Sequence, residues 1–500
     1  LVGKSFHPNT PDPASVNCST QPTPYPVAYS YDFGPNGKGR RTGMVDPSGS
    51  TAWEYDVRGR MTKETKVISG AGGGAFVTQW NSYDSLDRVR SMVYPDGEGV
   101  TFSYTAQGPI KTVYGSNTYY VGETLYNALG QVTDRYLGST AGLIRQKYTY
   151  TQAENFRLTA LQSGVASAYT NLQNLSYSYD AVGNVKSIVD VVNSNQRQCY
   201  NYDALHRLTR GFTTDSATCA SANLTIGSGP FDETTTYQDA LGGRGGNLTS
   251  KDGLTYTYNT IKPHAVRTGW GSGDNPRQVM IRAKGVSYAG VWPQMTLRVN
   301  GTDRQTWTVN STDYHTYIAN GVSLTGNDVI EVVYSNDVGA RDLYVQYVKM
   351  DEIEWGAGQM IYDKGSGAAA FDGLDVILGQ EAMHWNGALR FVGGVGAFAA
   401  GYDANGNMTH RVRYGEGAIE FTYDAENRLT QANQMGLAQA TLVYDGDGNR
   451  VKATFGSTTT VYVGNIYERD NGSTVRKYYY ADGVRVTMRT GGQTYYLLSD

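Results

Sequence analysis

The chain has 500 residues, more than one folding unit ordinarily holds, so length alone predicts two or more units. Lysine and arginine number 42 against 46 aspartates and glutamates, a formal charge of −4 with no basic block, which argues against nucleic acid as the main partner. Forty tyrosines, 61 glycines and only short apolar runs exclude a transmembrane helix, collagen, a coiled coil and acidic disorder, and leave an all-β chain.

Residues 1–29 read as an extended, proline-rich lead-in (Pro8, Pro11, Pro13, Pro22, Pro24, Pro26) that contains Cys18. Leu1 to Thr10 lacks a basic-then-apolar signal pattern, so the expectation is a piece of something longer, or a processed chain. No C-x-x-C spacing occurs, which argues against a thiolate zinc site. Cys199 and Cys219 flank one repeat. They either bridge across a hairpin, as suits an oxidising compartment, or remain two buried thiols, and spacing does not decide between these.

From residue 30 a repeat takes over. Tyr-Asp followed by a Gly or Asn turn recurs at Tyr55-Asp56, Tyr83-Asp84, Tyr179-Asp180, Tyr202-Asp203, Tyr402-Asp403, Tyr423-Asp424 and Tyr444-Asp445, with degenerate copies at Tyr31, Tyr104, Tyr126, Tyr150 and Tyr258. Tyr402, Tyr423 and Tyr444 are each 21 residues apart. Alternating runs such as Val100-Thr101-Phe102-Ser103-Tyr104 precede the motif and predict strands with one buried face. The aspartate then accepts local backbone hydrogen bonds, and Gly or Asn takes the left-handed conformation of a tight hairpin. Such hairpins cannot stand alone, so neighbours must stack edge to edge in one long sheet.

This pattern resembles the RHS and YD-repeat family, which includes the teneurins and the shell components of bacterial toxin complexes. The resemblance spans residues 30–269 and 395–500 and implies repeats coiled into a β-shell. Several members of the family enclose a C-terminal toxin. Tyr495-Tyr496-Leu497-Leu498-Ser499-Asp500 resembles the start of the family's terminal core motif, cut before its usual continuation. Asp46-Pro47-Ser48-Gly49 superficially resembles the family's cleavage motif, but it sits early between repeats and reads as a turn.

Between Tyr258 and Tyr402 the spacing is 144 instead of about 21, an excess of 123 residues and enough for a domain. The insert is expected at 270–394, as a jelly-roll-like β-sandwich with strands Gln278–Ala283, Gln294–Asn300, Arg304–Val309, Asp328–Tyr334 and Leu343–Met350. Gly290 to Gly301, Tyr334-Ser335-Asn336-Asp337 and Arg341 to Tyr347 resemble the calcium-dependent xylan-binding type of carbohydrate-binding module. Tyr362-Asp363 through Phe371-Asp372-Gly373, and Trp385 to Phe391, look like the segment that often accompanies it. The resemblance implies a Ca²⁺ shared between acidic loop residues and two adjacent sugar hydroxyls. Its matching ligands are Asp337 and Asp342, with backbone carbonyls around Arg341. The family's usual Asp-Arg-Asn before Leu-Tyr-Val is replaced by Ala340-Arg341-Asp342, which shifts an acid by two positions. Trp292, Tyr288, Trp307 and Trp385 are the candidate sugar platforms, each of which could instead be core.

Asp445-x-Asp447-x-Asn449 mimics an EF-hand start, yet Arg450 stands where that loop needs glycine, so it reads as a repeat turn. The six histidines are scattered, and no H-E-x-x-H, G-x-S-x-G or Walker loop occurs. Almost every aspartate belongs to a solvent-facing turn rather than a cleft, so no enzyme activity is expected. The leading reading is a non-enzymatic, extracellular or cell-surface scaffold that binds polysaccharide through a calcium-dependent module. Its rivals are the shell of a polymorphic toxin with an effector beyond residue 500, and a fibre or adhesin that self-associates edge to edge.

Overall fold

The computed structural model describes residues 3–4, 27–72, 74–139, 143–165, 168–238, 246–251, 254–258, 266–270, 276–323, 328–350, 353–365, 375–392, 398–413, 417–434 and 437–498. Cys18, the six prolines of the expected lead-in, Phe371-Asp372-Gly373 and Ser499-Asp500 lie outside them. Among the described residues there is no α-helix; antiparallel strands are joined by turns, with short 3-10 turns at Gln152–Glu154 and Ala357–Gln359. The chain is all-β, as its composition requires.

Each Tyr-Asp motif closes a hairpin in the same way. Oδ1 of the aspartate accepts the backbone N–H groups two and four residues on, as Asp56 does from Arg58 and Arg60 and Asp403 from Asn405 and Asn407. Oδ2 takes the side chain four residues on: Arg60, Arg88, Arg207 and Arg428 each donate Nε at 2.6–2.7 Å. The residue three after the aspartate is left-handed whatever its identity: Gly59 at φ 82°, Asp87 at 62°, His206 at 62°, Asn427 at 61°. Glycine meets that requirement without a Cβ penalty, and Asn or Asp tolerates it. The guanidinium beside Asp56 and Asp84 holds both carboxyls below the ordinary carboxylate range.

A bulge precedes each tyrosine, with register shifts at Glu54/Tyr55, Ser103/Tyr104, Ser178/Tyr179, Asn201/Tyr202 and Thr422/Tyr423. The hydroxyl then reaches backward to the previous hairpin. Tyr104 donates to Val89 O at 2.7 Å, and Val89 is the residue paired with Tyr83. Tyr126 donates to Ile110 O at 2.7 Å, opposite Tyr104. Tyr202 donates to Val185 O at 2.9 Å, opposite Tyr179, and Tyr423 to Met408 O at 2.9 Å, opposite Tyr402. Each hairpin is thus stitched to its predecessor at one recurring backbone position. Arg60 and Arg88 cover the rings of the next tyrosines, Tyr83 and Tyr104, at 4.6 and 4.2 Å.

The chain forms two compact units, Leu1–Asp232 with Leu442–Asp500, and Glu233–Thr441. In the first, strands from Val27–Tyr31 to Leu208–Thr214 each pair antiparallel with the next, and the C-terminal strands pack back onto the early ones. Tyr479 stacks on Tyr120 with centroids 3.6 Å apart and donates to Glu98 at 2.7 Å; Lys66 pairs with Asp445 at 2.8 Å. Cys199, on the strand Gln196–Tyr202, is disulfide-bonded to Cys219 in the loop that follows the next strand. Asp46-Pro47-Ser48-Gly49 is a turn, with Asp46 Oδ1 accepting the Ser48 backbone N–H at 2.7 Å.

In the second unit, Val266–Trp270 pairs directly with Phe398–Tyr402 (Thr268↔Ala399, Gly269↔Phe398), so the insertion leaves and re-enters between adjacent strands. Its strands run from Pro276–Val286 to Gly387–Val392 and build two sheets. One contains Pro276–Val286, His315–Ser323, Asp342–Met350, Ile353–Gly356 and Ala382–Met383; the other contains Gln294–Val299, Thr302–Thr308, Val329–Tyr334, Ile361–Lys364, Asp375–Leu378 and Gly387–Val392. The five expected strands are present within two or three residues, while His315–Ser323 and the strands after Met350 were not anticipated. Ile281, Leu297, Val332, Val345 and Leu389 fill the space between the sheets.

Within the six-stranded sheet, Val329–Tyr334 and Gly387–Val392 are buried on the outer face as well. Ala399, Val412 and Ala418 of the flanking repeats join the same core, and Val376 packs so closely on Gly401 that a Cβ there would lie 2.3 Å from its side chain. The outer face carries charge: Arg390, fully buried, pairs with Glu331 at 2.8 Å and Asp363 at 3.1 Å. His410 of the covering strand is also buried, which pulls its imidazole down to about 4. Module and flanking repeats therefore share one core. Arg390→Met, which strands two buried carboxylates, is expected to cost about 3–5 kcal/mol, and replacing Glu331 and Asp363 by leucine in the same chain is expected to restore most of it. Equilibrium denaturation measures both; a single mutant as stable as the parent contradicts the assignment.

Candidate functional site

The loop between Val329–Tyr334 and Asp342–Met350 crosses from one sheet to the other, and side chains rather than regular pairing fix its path. Asn336 receives the Gln294 backbone N–H at 2.7 Å and donates to Trp292 O at 3.0 Å. The Asp337 N–H donates to Asn386 Oδ1 at 2.7 Å. Arg341 is buried, with Nε donating to Val291 O at 3.1 Å and Nη1 donating to Asn336 O. The Tyr334 hydroxyl donates to Arg341 O at 2.6 Å. Gly339, left-handed at φ 64°, lies against the ring of Tyr288, which is too close to leave room for a Cβ.

This frame holds two carboxylates near one another. Oδ1 of Asp337 is buried and has no hydrogen-bond partner. Burial, and then the negative charge of Asp342, push the Asp337 carboxyl above its ordinary value. Asp342 meets His384 Nδ1 at 2.9 Å through Oδ1. Asp337 also lines an open cavity of about 360 Å³ with Lys364, Gly365, Asp375, Trp385 and Asn386. Trp385 is half exposed there, and its backbone is held on both sides by the Tyr362 hydroxyl, which donates to Trp385 O and accepts from its N–H.

The structure brings Asp337, Asp342 and Trp385 together. Tyr288 and Trp292 lie on the neighbouring segment that buttresses the loop. Trp307 is elsewhere: it sits edge-on to Tyr317 with centroids 6.0 Å apart and packs against the sandwich core, where an indole on a mostly exposed strand finds its apolar cover. Arg341 contributes differently from the expectation. Its own carbonyl is already engaged by Tyr334, and its guanidinium braces two other carbonyls of the loop. Lys364, Asp375, His384 and Asn386 were not anticipated. Asn386 follows Trp385 directly, and its pairing with Asp337 could be suspected from that neighbourhood alone.

Among the described residues no group of three or more His, Cys, Asp or Glu gathers around one point. The fit to a cation rests instead on the unpartnered buried oxygen of Asp337 and on the like charge of Asp342 beside it. That is a hard-oxygen donor pair whose repulsion a divalent ion relieves.

Residues 278–360 match the family of calcium-dependent, xylan-binding carbohydrate-binding modules, and residues 36–73 match the RHS repeat. No curated protein matches the chain. Among solved structures, vCBM60 in complex with galactobiose is 29% identical, covering 23% of this chain and 97% of that one at a TM-score of 0.19. The Photorhabdus luminescens Tc holotoxin pore is 15% identical over 94% of this chain and 23% of that one (TM-score 0.38), and TcdB2-TccC3 is 11% identical over 93% and 21% (TM-score 0.36). The chain spans under a quarter of the length of those two toxin chains. It is an RHS-repeat protein that carries a calcium-dependent, xylan-binding-type carbohydrate-binding module between its repeats.

Proposed function

We propose that this chain is a non-enzymatic scaffold, extracellular or on a cell surface, that binds polysaccharide through its module in a calcium-dependent way. The observation that carries the reading is the buried, unpartnered Oδ1 of Asp337 beside Asp342, at the edge of a cavity floored by a half-exposed tryptophan. Asp337 and Asp342 would hold Ca²⁺. When bound, the ion supplies open coordination positions suited to adjacent sugar hydroxyls. Trp385 offers an apolar ring face to the sugar, and Arg341 and Asn336 keep the loop shaped before any ligand arrives. That preorganisation reduces the ordering cost of binding. The repeats contribute rigidity, since the outer face of the module is sealed by them.

Two experiments check this reading. A glycan panel that includes xylan and galactobiose is expected to show binding that a calcium chelator abolishes; absent or chelator-indifferent binding contradicts it. The second is a sign test on stability. A carboxyl whose folded-state value lies above its unfolded one costs stability as pH rises through that window, and costs it fully above. Without calcium, Asp337→Asn is therefore expected to raise the melting temperature at pH 7 and to make no difference near pH 3. Added calcium is expected to stabilise the parent and not the variant. A destabilised variant at pH 7, or one that still responds to calcium, contradicts the assignment of Asp337.

A further inference from the structure

The cavity beside Asp337 contains a cation that a site for neutral sugar does not require. Lys364 ends the strand Ile361–Lys364, and its Nζ lies 5.0 Å from the centre of the Trp385 ring, within the same cavity. Among the described residues no carboxylate is within ion-pairing distance of that ammonium, although Asp375 is its register partner on the adjacent strand. The charge is therefore presented over the face of a half-exposed indole rather than neutralised.

A neutral sugar stacking on that face would displace the ammonium and gain nothing from its charge. A sugar bearing a carboxylate would instead receive a charge-assisted hydrogen bond from it. A carboxylate oxygen is also a better hard ligand than a hydroxyl for the cation that Asp337 and Asp342 would hold. We propose that the cavity selects glycans that carry a uronic acid, with Lys364 binding the sugar carboxylate over Trp385. Asp375 opposes this selection and limits its strength. The inference rests on the module being a calcium-dependent glycan binder, and it goes beyond that reading by naming the chemical class of sugar.

The test is calorimetric titration of the whole chain, in calcium, with xylotetraose and with the same oligosaccharide bearing one glucuronic acid. The acidic sugar is expected to bind about tenfold more tightly. Lys364→Met is expected to remove most of that preference without weakening the neutral sugar, Lys364→Arg to retain it, and Asp375→Asn to widen it. Raising NaCl from about 50 mM to about 500 mM is expected to shrink the preference. A calcium-induced rise in melting temperature shows that each variant is folded. Equal affinity for the two sugars, or equal loss of both in Lys364→Met, overturns the uronate proposal and leaves the glycan reading standing. Failure of both sugars to bind the parent chain overturns both readings.

Discussion

The recurring constraint in this chain is a backbone carbonyl that needs a donor. Where a bulge ends the pairing of one hairpin, the residue opposite its tyrosine faces the next hairpin, and the next tyrosine's hydroxyl meets that residue's carbonyl. Val89, Ile110, Val185 and Met408 are all placed this way. A phenylalanine would fill the same volume and leave the acceptor unmet, so these repeat positions need tyrosine. The aspartate does the complementary work inside the hairpin by fixing the turn, and its arginine joins the two by lying over the following ring.

The insertion exploits this arrangement without breaking it. Because Thr268 pairs with Ala399, the sheet closes behind the module as though the extra residues were a long turn. The cost is that two strands of the six-stranded sheet, Val329–Tyr334 and Gly387–Val392, are buried on both faces. Small residues on the repeats, Ala399, Gly401 and Ala418, make room for it, and Arg390 gathers Glu331 and Asp363 beneath them. The loop that carries Asp337 is then shaped at one end by Asn386 and at the other by Arg341, so the candidate ligands are positioned before any ion arrives.

Much of the fold was legible in the sequence, because turn chemistry and alternation are local. The Tyr-Asp repeat, the left-handed position and the early strands of the sandwich all follow from residue identity. The hydroxyl's acceptor was not legible, since a carbonyl has no side-chain signature. Neither was the second buried face. A single charge set into each of two apolar runs, Glu331 within Val329–Tyr334 and Arg390 within Gly387–Val392, was the available hint of partners across a sheet. At the site, Asp337, Asp342 and Trp385 were reached through the family strings, whereas Lys364 belongs to a four-residue strand with no pattern to mark it. Trp307 shows the limit of residue type as a guide: an indole serves a sugar face or a core edge equally well, and only packing separates the two.

Native-state hydrogen exchange on Tyr202→Phe tests the stitch most directly, because the substitution removes one hydroxyl and nothing else. The expected result is loss of protection, worth about 1 kcal/mol, confined to Val185–Asp190 and Gln196–Tyr202 and the strands paired with them. Unchanged protection in those two strands would mean that the hairpins hold together by sheet pairing alone, and would contradict the role assigned to the tyrosine hydroxyl.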